Sequence, residues 1–255
     1  MELGLSGKRV VVTGAGRGIG LAITRAFAAE GAIVVAGSRR ATAELKELAN
    51  VTPVEVDLGE PEGPQRLVAA AGDRIDVLVN NVGVASPRTG GFLEVTDDMW
   101  ANTWNLDMMA TVRAIRAALP RMLTHGGTIV NTGSVNARLP DPLVVDYSAA
   151  KAALTNLAKS LSKEFGPRGI RVNTVAPGPV ATDLWLGEGG VAATVGAATG
   201  ANPKEVAAGA AAQMVTGRFT RPEEVADLAL LLAGDRAGNV TGAEFTIDGG
   251  LITTL

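Results

Sequence analysis

Three side chains in this sequence could together exchange a proton with a small molecule: Ser134, Tyr147 and Lys151. The segment Tyr147-Ser-Ala-Ala-Lys151 sets a phenol and an ammonium four residues apart. On a helix that spacing puts both on one face, with Cβ atoms about 6 Å apart. A free phenol, with a pKa near ~10, exchanges its proton poorly at neutral pH. A cation beside it favours the phenolate and lowers that value, and acid–base exchange improves as the pKa approaches the working pH. Ser134, thirteen residues upstream of Tyr147, offers a hydroxyl able to hold an oxygen undergoing reduction or oxidation. A tyrosine and a lysine at this spacing recur in unrelated helices, so the elements around them must supply the context.

Those elements alternate. Short β-branched runs at Arg9–Thr13, Ile33–Gly37, Pro53–Val56, Val77–Asn80, Thr128–Asn131, Arg171–Val175 and Glu244–Ile247 read as strands. Most are nearly continuous apolar runs, as strands buried on both faces of a parallel sheet are. Helical patterns lie near 18–30, 41–49, 62–71, 97–123, 146–165 and 222–233. The expected fold is therefore α/β: a doubly wound parallel sheet of about seven strands with right-handed crossovers. No Pro/Ser-rich linker and no internal repeat interrupts it, so residues 1–255 read as one domain. One stretch breaks the rhythm. Residues 184–214 are rich in Gly and Ala and carry no strand pattern; long connections of this kind serve as lids or binding loops, and a place after a strand's C-terminal end suits a substrate lid.

Composition narrows the function. The chain has 255 residues, 47% of them hydrophobic, and a formal charge of −3. No Lys/Arg cluster offers the footprint that nucleic acid requires, and no apolar run approaches the ~20 residues of a membrane span. The N-terminus passes straight into a strand without a signal-peptide apolar region, so a soluble, cytoplasmic protein is expected. With no cysteine and a single histidine, His125 in a Thr-His-Gly-Gly turn, no metal centre is expected.

The first strand runs into Thr13-Gly14-Ala15-Gly16-Arg17-Gly18-Ile19-Gly20, and a helix follows. Glycines there allow a tight turn and close approach to phosphate, and the helix N-terminus favours an anionic pyrophosphate. The spacing is GxxxGxG rather than GxGxxG. An acidic residue at the end of the second strand would accept from the ribose hydroxyls of NAD. Here the strand ends Gly37-Ser38-Arg39-Arg40, without a carboxylate. Ser38 and the planar guanidinium of Arg39 suit a 2′-phosphate, and Arg17 could approach it from the other side. NADP(H) is thus the expected cofactor, with NAD(H) possible. Asp57, followed by Leu58, is placed to meet the adenine amino group; Asn80 could brace the turn Asn80-Asn81-Val82-Gly83, and Gly83 would let the backbone pass the ribose.

With these residues in hand, the whole chain resembles the short-chain dehydrogenase/reductase family. The resemblance rests on TGxxxGIG at 13–20, Asp57, the NNxG at 80–83 with Val82 at its third position, Asn105, Ser134, YxxxK at 147–151, and Pro177-Gly178 followed by Thr182. It implies a Rossmann-type three-layer αβα sandwich and a catalytic tetrad of Asn105, Ser134, Tyr147 and Lys151. Tyr147 would exchange the proton, Lys151 would lower its pKa and bind the nicotinamide ribose, and Ser134 would hold the substrate oxygen. Asn105 would hold a water linking Lys151 to solvent. Pro177, Gly178 and Val180 would shape the backbone beside the nicotinamide, and Thr182 would bond its carboxamide.

Around the tetrad, Val135, Asn136, Leu139, Val144 and Val145 lie with Leu184 and Trp185 as candidate substrate contacts. They are mostly apolar, so a neutral or acyl-type ketone or secondary alcohol is expected, as for the 3-oxoacyl-carrier-protein reductases that the chain resembles. The absence of a basic docking patch weakens an acidic carrier protein as partner. By the same resemblance a homotetramer is expected, built through helices 97–123 and 146–165 and the segment 248–255, with Trp100 and Trp104 as interface anchors or core residues. The alternatives are an NAD-dependent alcohol, sugar-alcohol or hydroxysteroid dehydrogenase, and a non-catalytic dinucleotide sensor, which would not need the tetrad.

Overall fold

The central β-branched runs are apolar on both sides and find cover on both sides, whereas the edge runs at 51–55 and 244–247 stay partly exposed. A computed structural model describes residues 2–254; Met1 and Leu255, the ends of the domain expected over 1–255, lie outside the described residues. In chain order the elements are β1 (Arg9–Thr13), α1 (Gly18–Ala29), β2 (Ile33–Ser38), α2 (Ala43–Glu47), β3 (Val51–Glu55), α3 (Gly63–Ala70), β4 (Val77–Asn80), α4 (Asp97–Trp104), α5 (Ala110–Ala118), β5 (Gly127–Thr132), α6 (Val145–Phe165) and β6 (Ile170–Pro177). Then follow α7 (Asp183–Leu186), α8 (Val191–Thr199), α9 (Pro203–Ala212), α10 (Pro222–Ala233) and β7 (Glu244–Ile247).

The seven strands form one sheet in the order β3-β2-β1-β4-β5-β6-β7, and every pairing is parallel. From β1 the chain steps outward to β3, then returns to the other side of β1 through β4. That reversal opens a crevice at the C-terminal ends of β1 and β4, where ligands of open α/β sheets bind. Two apolar layers sandwich the sheet. On one face Ile23 and Phe27 of α1 pack with Val225 and Leu232 of α10; on the other lie Leu67 of α3, Ala114 of α5 and Phe165 of α6. Full burial of each large side chain contributes roughly 1.5–3 kcal/mol.

The expected strands are all present. β1, β4 and β7 have the expected bounds, while β2, β5 and β6 run longer and β3 begins at Val51. Two helical expectations need correction. The helix expected over 41–49 is only α2, and that over 97–123 is interrupted: α4 starts at a Thr96 cap that accepts from the Met99 N–H at 3.3 Å, then a π-helical turn spans Asn105–Met109 before α5. Pro120 lies in a terminal 3₁₀ turn, Leu119–Arg121, consistent with a residue that cannot donate to the helix. The segment 184–214 is helical rather than irregular. Asn202 accepts from the Lys204 N–H at 2.9 Å with Pro203 at the first position, both ordinary helix-start devices. α9 nevertheless buries none of its residues. Among the described residues no helix is long and apolar enough to cross a membrane.

Candidate active site

The glycine-rich turn follows β1 directly and is pinned to the loop after β4. Thr13 Oγ1 accepts from the backbone N–H groups of Asn81 (2.9 Å) and Val82 (3.1 Å), while Asn81 Nδ2 donates to the carbonyls of Thr13 (3.3 Å) and Gly14 (3.2 Å). Gly14 is left-handed (φ 68°), and an added Cβ would lie 2.9 Å from the Val82 Cα, so the two loops close on each other only with glycine here. The bracing role expected of Asn80 therefore belongs to Asn81. Consecutive strand residues point to opposite faces; Asn80 turns into the sheet and donates to Asn131 Oδ1 at 2.9 Å.

Beyond the turn, α1 begins with Arg17 as a cap that supplies no side-chain acceptor, and its first turn holds no carboxylate. The leading N–H groups of the segment Gly18-Ile19-Gly20 are thus left for an external acceptor, the condition for anion binding at a helix start. Thr182 sits across from the turn, 3.2 Å from where a Gly18 Cβ would be. Ser38 is buried, donates to the Arg40 carbonyl at 2.7 Å and lies against Gly16. Arg17, Arg39 and Asp57 are all exposed, and Asp57 Oδ1 accepts from the Gly59 N–H at 2.8 Å. Leu58 turns its side chain into the core, so only its backbone is available to a ligand. A collar of glycines, an uncapped helix start and a free-facing carboxylate fit a dinucleotide.

The corner that holds Ser134, Tyr147 and Lys151 is built from β5 and α6. Ser134 follows β5 and caps a 3₁₀ turn, its Oγ accepting from the Asn136 N–H and donating to Asn136 Oδ1, both at 3.1 Å. Tyr147 lies in the first turn of α6. Lys151, one turn later and only 3% exposed, brings Nζ to 5.5 Å from the phenol ring centroid and donates to the Thr132 carbonyl at 3.0 Å. The start of α6 is held by Asp146, which accepts from Arg88, from Thr103 Oγ1 at 2.7 Å and from the Tyr147 N–H at 3.0 Å. Burial raises the Asp146 pKa, but these donors outweigh it and hold the carboxyl below its ordinary value.

For Tyr147 the balance falls the other way. Burial pushes the phenol up, the Lys151 ammonium pulls it down, Asp107 pushes it up again, and a hydrogen bond with Ser134 lowers it; the net direction is upward. Lys151 acts in the direction expected from the spacing, yet burial exceeds it.

The structure brings Ser134, Tyr147 and Lys151 together and leaves Asn105 apart. Asn105 Nδ2 donates to the Gly59 carbonyl and its Oδ1 accepts from Arg113 Nη1, each at 2.7 Å. Beside Lys151 stands Asp107 instead, fully buried, with Oδ1 at 3.7 Å from Nζ and both oxygens near the Val84 N–H (3.2 and 3.3 Å). Residues two apart on a helix face different directions, so no side chain at 105 could share that place. The legible sign was an aspartate within the otherwise apolar run Leu106–Ala110. Asn81, Arg88 and Asp146 were likewise missed; Asp146 could have been noticed as a charge inside an apolar helix start.

Ser134, Tyr147 and Lys151 face a cavity of about 630 Å³. Ile19, Gly83, Pro177, Gly178, Val180 and Thr182 line it. Asn136, Leu139, Val144, Leu184 and Trp185 line the same cavity, whereas Val145 does not reach it. Val135 is also at the wall, and α8 and α9 add Val191, Val195 and Val206.

A family model described as enoyl-(acyl carrier protein) reductase matches residues 14–252. The chain belongs to the short-chain dehydrogenase/reductase family. It is 35% identical over 251 residues to meso-2,3-butanediol dehydrogenase of Serratia marcescens, covering 95% of this chain and 94% of that protein. It is 34% identical to mouse (Mus musculus) L-xylulose reductase over the full length of both. The crystal structure of L-sorbose reductase from Gluconobacter frateurii, complexed with NADPH and L-sorbose, superposes with a TM-score of 0.91 at 34% identity over all of both chains. Membership places this dehydrogenase/reductase among the NAD(P)-dependent oxidoreductases of ketones and alcohols.

Proposed function

We propose that the protein is an NADP(H)-preferring ketoreductase that interconverts a small neutral ketone and its secondary alcohol, with Tyr147 exchanging the proton. The observation that carries this reading is the meeting of Ser134, Tyr147 and Lys151 on a cavity that Ile19 of the glycine-rich turn also lines. The bound nicotinamide would supply or accept the hydride. Tyr147 would give its proton to the carbonyl oxygen in reduction and take it back in oxidation. Ser134 would donate to the same oxygen, and Lys151 would hold the nicotinamide ribose and moderate the phenol.

Preference for the phosphorylated cofactor is supported by β2, which ends at Ser38 and exposed Arg39 without a carboxylate. It is supported too by the NADPH named in the sorbose reductase complex. The mostly apolar walls, with Asn136, Asp141, Glu205 and Gln213 among the polar side chains that can meet hydroxyls, favour a short ketone with a few neutral oxygens. Relatives named for butanediol, xylulose and sorbose fit that description.

The test is oxidation of NADPH and of NADH against acetoin, L-xylulose, L-sorbose and a 3-oxoacyl thioester. Turnover of one of the first three with NADPH supports the proposal. Preference for NADH overturns the cofactor reading, and no turnover with any of them despite tight NADPH binding overturns the enzymatic one. A homotetramer, with α4, α5 and α6 at one interface, belongs to the same proposal and is read by light scattering after size exclusion.

A further inference from the structure

Nothing in the proton exchange just described uses Asp107, yet the fold goes to some length to keep it. A carboxyl with no exposure is costly to bury unless partnered, and this one lies in the π-helical turn Asn105–Met109. Such turns carry their own energetic cost and concentrate at functional sites. Its neighbours leave room for nothing else. A Cβ on Gly83 would lie 2.5 Å from Asp107 Oδ1 and 3.3 Å from Lys151 Nζ, so the loop after β4 passes only because that residue is glycine.

We propose that Asp107 positions Lys151 and tempers its charge, so that this carboxyl, and not Lys151 alone, sets how strongly the site draws a proton off Tyr147. Asp107 is faced from α6 by Lys151, which is attracted to it, and by Asp146 and Tyr147, whose negative forms it opposes. The loop after β4 contributes the Val84 N–H directly and Arg88 through Asp146. From β5 comes the Thr132 carbonyl, which shares Lys151 Nζ. Burial pushes Asp107 up to about 6, against the lowering by Lys151 and the Val84 N–H and with a further push from Asp146. The carboxyl is therefore ionised at neutral pH and above, where its charge offsets that of Lys151. The consequence is directional: Tyr147 stays a phenol, ready to give a proton to a carbonyl, and alcohol oxidation waits for a higher pH.

Tyr147 is the one tyrosine in the chain, so its ionisation can be read in the free protein by tyrosinate ultraviolet absorbance, with circular dichroism confirming the fold at each pH. In Asp107→Asn, which keeps an acceptor for the Val84 N–H, the tyrosinate midpoint should fall by about one unit, the low end of the effect of a nearby charge. An unchanged or raised midpoint overturns the proposal. If the variant does not fold, the ζ-carbon resonance of labelled Tyr147 in the unaltered protein decides. A small inflection near pH 6, separate from the main titration, supports the coupling, and its absence overturns it. The proposal rests on the acid–base reading of Tyr147 for its functional meaning, but the titration is independent of turnover. Failure here leaves that reading standing, while inactivity of the unaltered enzyme leaves the titration standing.

Discussion

The two sides of the cavity are built by opposite means. The side proposed to exchange the proton hangs on the central sheet: Ser134 follows β5, Lys151 is tied to the Thr132 carbonyl, and the first turn of α6 is clamped by Asp146, Arg88 and Thr103. The cap side is three short helices, α7 to α9. α8 buries only Ala192 and Gly196, and α7 and α9 bury nothing. Precision in the first region costs buried charge; the second has little packing to lose. That division has a physical logic, since a site held within fractions of an ångström must sit on rigid elements while adaptable contacts suit segments of low local stability.

The sharpest way to break the comparison is at Tyr147. Tyr147→Phe keeps the ring and removes the proton, so turnover should fall by at least ~100-fold, the lower range for general acid–base catalysis. NADPH binding followed by fluorescence should change little. Substantial remaining turnover would mean that the proton moves elsewhere and that the sheet-anchored side is not the chemical one.

Next in size is the clamp. Arg88 is 14% exposed and Asp146 1%, so Arg88→Ala leaves a buried carboxylate without its main partner and should destabilise the fold by about 3 kcal/mol. The sign with pH follows from the depressed Asp146 value. The pair's contribution is present above the ordinary carboxylate pKa of 3.8 and is lost as pH falls through the lower folded value. The difference in thermal midpoint between the two proteins should therefore narrow in acid. A constant difference would show that packing, not charge, makes the clamp.

A smaller effect is expected at the cofactor's far end. Arg39→Ala removes an exposed guanidinium, and NADPH affinity should weaken by roughly tenfold, the worth of one charge-assisted hydrogen bond. NADH affinity should stay nearly constant. Equal losses for both would place Arg39 against a part that the two cofactors share.

Much of this was legible in the sequence, and the exceptions share a cause. The seven strands and the glycine-rich turn could be read because apolar runs and glycine spacing are local signals. Where the structure places Asn81 rather than Asn80 against the glycine-rich turn, and Asp107 rather than Asn105 beside Lys151, the outcome depends on which way a side chain points. A strand flips direction at each residue, and the π-turn at Asn105–Met109 shifts the helical register by an amount that no ordinary 3.6-residue pattern encodes. Burial of Tyr147 is similarly non-local: the Lys151 spacing gives the sign of one influence, but the larger one comes from the elements packed around the phenol. The cap helices were missed for another reason, since Ala and Gly carry no amphipathic stripe, although Asn202-Pro203 at the start of α9 was a readable cap.

The finest test of the division lies in the cap itself. Trp185 follows the turn closed by Thr182, lines the cavity and stacks edge-on against Phe219 with ring centroids 5.2 Å apart. It is only half-buried, so its removal opens space toward solvent rather than a sealed void in the core. Trp185→Ala should therefore cost stability little, about 1 kcal/mol or less, seen as a small change in thermal midpoint. If the cap selects substrate without touching the chemistry, KM for the accepted ketone should rise several-fold while kcat holds within about a factor of two, the signature of lost uniform binding. A fall in kcat with KM unchanged would mean that Trp185 helps align the carbonyl against Tyr147. The cap would then belong to the reaction as much as the sheet does.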